Sequence, residues 1–161
     1  MNREILFRGK PDIDQEWLDE MDFTLDEYMQ SLVSVNYKDG FVYGQLVYSG
    51  KQPYIVGEVV ESTDEWITLE YWIPVKPETV GQYTGLEDKN GVEIYEEDVV
   101  KVTYYGEESV HVVKWMGERD YPAFDLEPFL DCDSNGLSYV MCDCECETEV
   151  IGNIHDNPEL L

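Results

Sequence analysis

Four thiols, two imidazoles and a large excess of carboxylates are the side chains of this 161-residue chain that could do chemistry. Three cysteines fall at alternate positions, Cys142, Cys144 and Cys146, and Cys132 lies upstream of them. Four thiolates could in principle hold zinc. A local zinc-binding pair, however, is usually separated by about two to four residues, so that the chain curls around the metal. A one-residue spacing in a strand sets the thiols on one face at intervals of about 7 Å. That pattern favours a buried stripe of small residues, with Asp143, Glu145, Glu147 and Glu149 turned to water and the alternation running on through Thr148 and Val150. On that reading the thiols are inert and, in a reducing compartment, unbridged; metal binding stays open as the alternative.

Neither histidine is expected to act on a substrate. His111 sits in an alternating apolar run and reads as a strand residue satisfying a local hydrogen bond. His155 follows Gly152-Asn153 near the C-terminal end and also reads as structural. Neither is read as half of a nucleophile pair with a nearby Ser or Cys. The carboxylates are too numerous to single out an acid and a base. Gly81–Gly85 lacks both the spacing and the following helix of a phosphate-binding loop. No catalytic residue, cofactor-binding residue or metal ligand is therefore assigned, no cofactor is expected, and the chain is not expected to be an enzyme. The alternative is a hydrolase whose site is assembled from distant carboxylates and His.

The elements that would position these groups are mostly strands. Arg3–Gly9 reads as a strand, and Asp12–Trp17 as a turn leading into a short element. Thr24-Leu25-Asp26-Glu27 forms a capping box, with Phe23 and Tyr28 placed as a hydrophobic staple. Leu25, Tyr28, Met29 and Leu32 then follow helical spacing, which predicts a helix over about Leu25–Val33. Strands rich in aromatic and branched residues come next, at Gly40–Tyr48, Tyr54–Glu61 and Trp66–Val75, separated by turns. Pro74–Pro77 is the best boundary candidate, giving an N-terminal β subdomain over 1–75 and a second subdomain over 76–161. In the latter, Asp88-Lys89-Asn90-Gly91 is a strong turn signal. Val92–Tyr95, Val99–Tyr105, Val110–Trp115 and Glu149–Ile154 read as strands, with Tyr83, Leu86, Ile94 and Tyr95 as core anchors. Tyr121–Leu130, with two prolines, reads as an irregular wrap over the core, and Leu137–Cys142 as the approach to the cysteine strand.

Charge is the unusual feature of the composition: 36 acidic against 10 basic residues, net -26. Such a surface repels nucleic acid and anionic lipid and favours basic partners. It also opposes compaction, so low ionic strength is expected to weaken the fold. Solubility alone would explain the excess. Imitation of nucleic-acid charge is a further alternative, and it would require carboxylates in two rows spaced like phosphates. No apolar run approaches the roughly 20 residues of a membrane span. The opening MNREILFRGK lacks the order of a secretion signal, so export is not expected.

Several stretches together resemble the YopX family of phage and prophage proteins. They are Arg3-Glu4-Ile5-Leu6-Phe7-Arg8-Gly9-Lys10, Pro77–Leu86, Asp88-Lys89-Asn90-Gly91, Ile94-Tyr95-Glu96, Asp98-Val99-Val100, Val150–Ile154 and Asn157–Leu161. The resemblance covers nearly the whole chain. It implies a mostly β protein whose C-terminal part is an SH3-like barrel, and a place in the bacterial cytoplasm. It carries over no catalytic residues. Two departures stand out. About twenty residues, including the capped helix, separate Trp17 from Tyr43-Gly44, as an insertion would. Position 97 is Glu where the resemblance implies Gly, so Glu97 must either adopt a left-handed backbone at some cost or alter the turn.

These readings combine into a mainly β, α+β protein: an antiparallel N-terminal sheet with one short helix, then an SH3-like barrel. The expected role is a non-enzymatic accessory protein that binds a host or phage protein, of basic character, without direct contact to nucleic acid or membrane. A homo-oligomer is left open.

Overall fold

A computed structural model describes residues 5–117, 121–132, 135–142 and 145–161. The chain divides into two compact units, Glu4–Gln82 and Tyr83–Leu161.

The N-terminal unit runs β1 (Phe7–Gly9), α1 (Gln15–Glu20), α2 (Leu25–Ser31), β2 (Tyr37–Lys38), β3 (Phe41–Ser49), β4 (Gln52–Val56), β5 (Val59–Ser62), β6 (Ile67–Leu69) and β7 (Trp72–Pro74), and ends in the start of β8 (Gly81–Glu87). Its sheet has the order β7-β4-β3-β1-β8, with β2 also on β3. Every pairing in it is antiparallel, as expected from the meander. The expected capping box starts α2: the Thr24 N–H donates to Glu27 Oε2 at 2.9 Å, and the Glu27 N–H donates to Thr24 Oγ1 at 3.3 Å. The Phe23 and Tyr28 rings meet edge-on at 6.4 Å, which completes the staple. The bond from the Thr24 backbone holds the Glu27 carboxyl below its ordinary range. Seven residues of helix do not persist alone. Met29 supplies the anchor: it is fully buried with Val42, Ile55, Ile73 and Val75, a burial that contributes about 1.5–3 kcal/mol.

The short element expected to follow the turn at Asp12–Trp17 is a second helix, α1. Asp14 caps it, accepting from the Trp17 N–H at 2.8 Å, and Leu18 carries its contact with the core at 1% exposure. Asp14 followed by Gln15-Glu16 is an N-cap signal that the sequence reading passed over.

The C-terminal unit contains the rest of β8, then β9 (Glu93–Tyr95), β10 (Asp98–Tyr104), β11 (Glu107–Trp115), β12 (Phe124–Glu127), α3 (Gly136–Cys142) and β13 (Cys146–Asn153). The SH3-like barrel does not form. The unit's main sheet has four strands in the order β12-β11-β10-β13 and is open. Residues 124–127, read as an irregular wrap, instead pair with β11 from Val112↔Glu127 to Trp115↔Phe124. Leu137 and Val140 of α3 join Ile94, Val100, Val102, Val113, Leu126 and Cys146 in one core. That face of the sheet is thus covered partly by a helix.

The free edge of β13 is occupied by the β8–β9 turn. The Lys89 N–H donates to the Thr148 carbonyl at 3.0 Å, and the Val150 N–H donates to Asp88 Oδ2 at 3.0 Å. The other oxygen of Asp88 accepts from the N–H groups of Asn90, at 2.7 Å, and Val92, at 3.0 Å. Gly91, at φ 78°, takes the left-handed position of this turn. The Asp88 carboxylate therefore closes a hairpin and, with the Lys89 N–H, pairs two backbone groups on a sheet edge otherwise open to another chain.

Burial opposes charge on Asp88, but its bonds from the Val92, Val150 and Asn90 backbones outweigh that and hold the carboxyl below its ordinary range. Asp88→Ala strands three backbone donors and should cost about 2–4 kcal/mol in urea unfolding near pH 7. A group with a lowered folded pKa stabilises above its unfolded value of about 3.9 and loses that effect as pH falls through the folded one. The gap between wild type and Asp88→Ala should therefore narrow below about pH 4. A gap independent of pH would contradict the assignment.

Candidate functional site

His111 is 3% exposed, on β11. Its Nδ1 lies 2.6 Å from the Pro128 carbonyl oxygen, and its Nε2 lies 2.7 Å from Ser109 Oγ. A carbonyl can only accept, so Nδ1 carries a proton; Nε2 accepts from the Ser109 hydroxyl in the neutral ring and donates to it in the charged one. Residues 109 and 111 share a strand face, which brings them together. The connectivity is that of a hydroxyl, a base and an orienting group. Sequence reading missed Ser109, although a Ser two positions from a His on one strand is a legible signal. Both ring nitrogens are engaged, so any proton exchange other than with Ser109 must first break one of these bonds.

His155 lies in the turn after β13. Its Nε2 is 2.6 Å from Glu97 Oε2. Asn153 Oδ1 accepts from the His155 and Asp156 N–H groups at 3.0 Å each, which fixes this turn. Glu97 has a left-handed backbone, at φ 69°. The residue that stands where the resemblance implies Gly thus keeps the Gly conformation. Such a backbone costs about 1–2 kcal/mol for a residue with a Cβ. The surroundings hold it there: the Glu97 N–H donates to the Val113 carbonyl at 2.8 Å, its own carbonyl accepts from the Ile154 N–H at 3.1 Å, and His155 holds its carboxylate.

The cysteine stripe is not a strand. Cys142 closes α3 and is exposed, whereas Cys146 opens β13 and is buried; Cys132 is half-buried, and Cys144 lies outside the described residues. The alternation holds from Cys146 onward, with Cys146 and Thr148 buried on one face and the Glu147 and Glu149 side chains on the other. Upstream, the helix takes over. Asn135 starts it by accepting from the Ser138 N–H at 2.7 Å, and Asp125 Oδ1 accepts from Leu137 N–H at 2.9 Å. Asn135-Gly136 before Leu137, Val140 and Met141 at helical spacing was the available signal. Among the described residues no group of three or more His, Cys, Asp and Glu is arranged to hold a metal ion.

Buried carboxylates serve the backbone. Asp88 does so at the turn, Asp98 Oδ2 accepts from the Tyr95 N–H at 2.8 Å, and Asp125 meets Leu137 and the Tyr121 hydroxyl. Most of the other carboxylates among the described residues are exposed. On the C-terminal sheet, lysines stand against them: Lys89 contacts Glu147 and Glu149, Lys101 contacts Glu108 and Glu149, and Lys114 contacts Glu127. Hydrogen bonds donated to Glu149 and Glu147 push the Lys89 ammonium above its ordinary range, and Lys89 in turn holds Glu149 below its own. The N-terminal unit differs. Every Asp and Glu from 12 to 27 is exposed, with no Lys or Arg between Lys10 and Lys38. No helix among the described residues is long and apolar enough to cross a membrane.

The protein is thus a mostly β, α+β chain with an acidic surface. It belongs to the YopX family: the model described as YopX protein matches residues 6–161. It is also similar to the crystal structure of protein EF1440 from Enterococcus faecalis, at 24% identity over 99% of each chain with a TM-score of 0.47. No curated protein matches it.

The strained Glu97 gives a test by double-mutant cycle. With His155 replaced by Ala, Glu97→Gly relieves strain without losing the carboxylate bond and should stabilise by about 1 kcal/mol. In the presence of His155 the gain should be smaller, because the bond is lost with the side chain. Strictly additive values in urea denaturation would contradict this account.

Proposed function

We propose that this YopX-family chain is a non-enzymatic, acidic protein-binding module encoded by phage or prophage, acting in the bacterial cytoplasm on a host or phage protein of basic character. The observation that carries this reading is the excess of 36 acidic over 10 basic residues, with every Asp and Glu from 12 to 27 and from 58 to 70 exposed and no Lys or Arg within either stretch. Such a surface accelerates encounter with a basic partner and disfavours nucleic acid and anionic lipid. Affinity purification of the full chain from bacterial lysate at low salt and at 0.5 M salt tests it. A basic partner enriched at low salt and lost or reduced at high salt is the expected result. No enriched protein at either salt sinks the reading.

A second reading, a hydrolase, rests on the hydrogen-bonded chain Ser109–His111–Pro128. Here Ser109 would be the nucleophile and His111 its base. The binding-module reading expects no covalent labelling by a fluorophosphonate probe. Labelling that disappears in Ser109→Ala, with an unchanged melting temperature, would favour the hydrolase instead.

A further inference from the structure

The hairpin of β5 and β6 lies outside the main sheet of its unit. It continues the β4–β7 pair, through the Gly57 N–H to the Tyr71 carbonyl at 3.1 Å and the Glu70 N–H to the Glu58 carbonyl at 2.9 Å, and then forms a separate two-stranded sheet. Every residue from Glu58 to Thr68 is exposed. The register pairs Val59 with Leu69 and Ser62 with Ile67, with an irregularity between Val59 and Glu61. Directly opposed residues share a face, so Val59, Ile67 and Leu69 form one apolar stripe. Val59 is 58% exposed, Ile67 64%, and Trp66 at the tip 55%. Two-stranded ribbons are marginal in water, and clustered exposed apolar side chains mark interaction surfaces.

Charge selects the occupant. The hairpin carries Glu58, Glu61, Asp64, Glu65 and Glu70 and no Lys or Arg between residues 57 and 71. A second copy would bring the same carboxylates against them, and nucleic acid or anionic lipid would bring like charge. We infer that the β5–β6 hairpin is a docking arm for a basic protein surface with an apolar centre: the Val59–Ile67–Leu69 stripe enters that centre and the flanking carboxylates meet its cations. This rests on the proposed binding role and assigns it to one element.

Two synthetic peptides of equal charge serve as probes, one alternating Lys with Val and the other Lys with Ser. Titration of the full chain at moderate salt should show the Lys/Val peptide binding about tenfold tighter or more. The double substitution Val59→Ser/Ile67→Ser should abolish that preference while leaving the melting temperature unchanged. Val33→Ser, at a fully exposed apolar residue outside the arm, should leave the preference intact. Equal affinity of wild type for both peptides, or a preference that survives the double substitution, overturns the arm and leaves the acidic binding role standing. Binding of neither peptide overturns both. Sedimentation of the wild type should give a monomer; a dimer that the double substitution dissolves would assign the arm to a second copy and overturn the basic occupant.

Discussion

The C-terminal unit depends on where the Asp88 carboxylate puts its two oxygens. One oxygen accepts from Asn90 and Val92 and closes the turn; the other accepts from Val150 and ties that turn to β13. Three charge-assisted bonds to backbone donors offset the cost of burying a carboxylate. Ile94 and Tyr95, which follow the turn, are thereby delivered into the interior at 0% and 2% exposure. Because the turn also occupies the edge of β13, the sheet need not close on itself. An edge satisfied by a turn and a side chain is an alternative to barrel closure, and this unit adopts it.

Local chemistry was legible in the sequence, and long-range pairing was not. Thr24 and Glu27 announce their helix because both halves of the capping box lie within four residues of chain. Asn90-Gly91 announces its turn, and Ile94 and Tyr95 their burial; Tyr83 and Leu86, expected alongside them, are only half-buried. Glu97 in a left-handed conformation was foreseen as the costly alternative, since a turn that needs Gly imposes its backbone on whatever stands there. The barrel came from the resemblance alone, and whether four strands close is decided by partners distant in sequence. The cysteine region misled for a different reason. Acidic residues alternate with Cys from 142 to 147 and imitate the two-residue period of a strand, but α3 ends at Cys142 and the strand begins only at Cys146.

The two units handle negative charge differently. Lys89, Lys101 and Lys114 are spent inside the C-terminal unit on glutamates from neighbouring strands or turns. These exposed pairs each contribute little, but they relieve repulsion where strands carry several carboxylates. The N-terminal unit places Arg8 and Lys10 over the Phe41 ring, at 4.6 Å and 5.3 Å from its centroid, and leaves its helices and hairpin without such interleaving. Among the described residues, α1, α2 and the β5–β6 hairpin thus carry exposed carboxylates with no Lys or Arg in their own spans.

Gly57 and Tyr71 sit at the root of the β5–β6 hairpin. A Cβ on Gly57 would come within 2.6 Å of the Tyr71 ring, and the Tyr71 hydroxyl donates to the Tyr43 carbonyl at 2.5 Å. The ring is clamped between a missing side chain and the central strand of its sheet, which sets the heading of the hairpin before anything touches it. The entropic cost of orienting the hairpin is thus met during folding, and in the proposed docking role it would not recur at each encounter. In the proposed docking role, association would be tuned from the root as well as from the tip: a residue that never meets the partner would set how long the complex lasts.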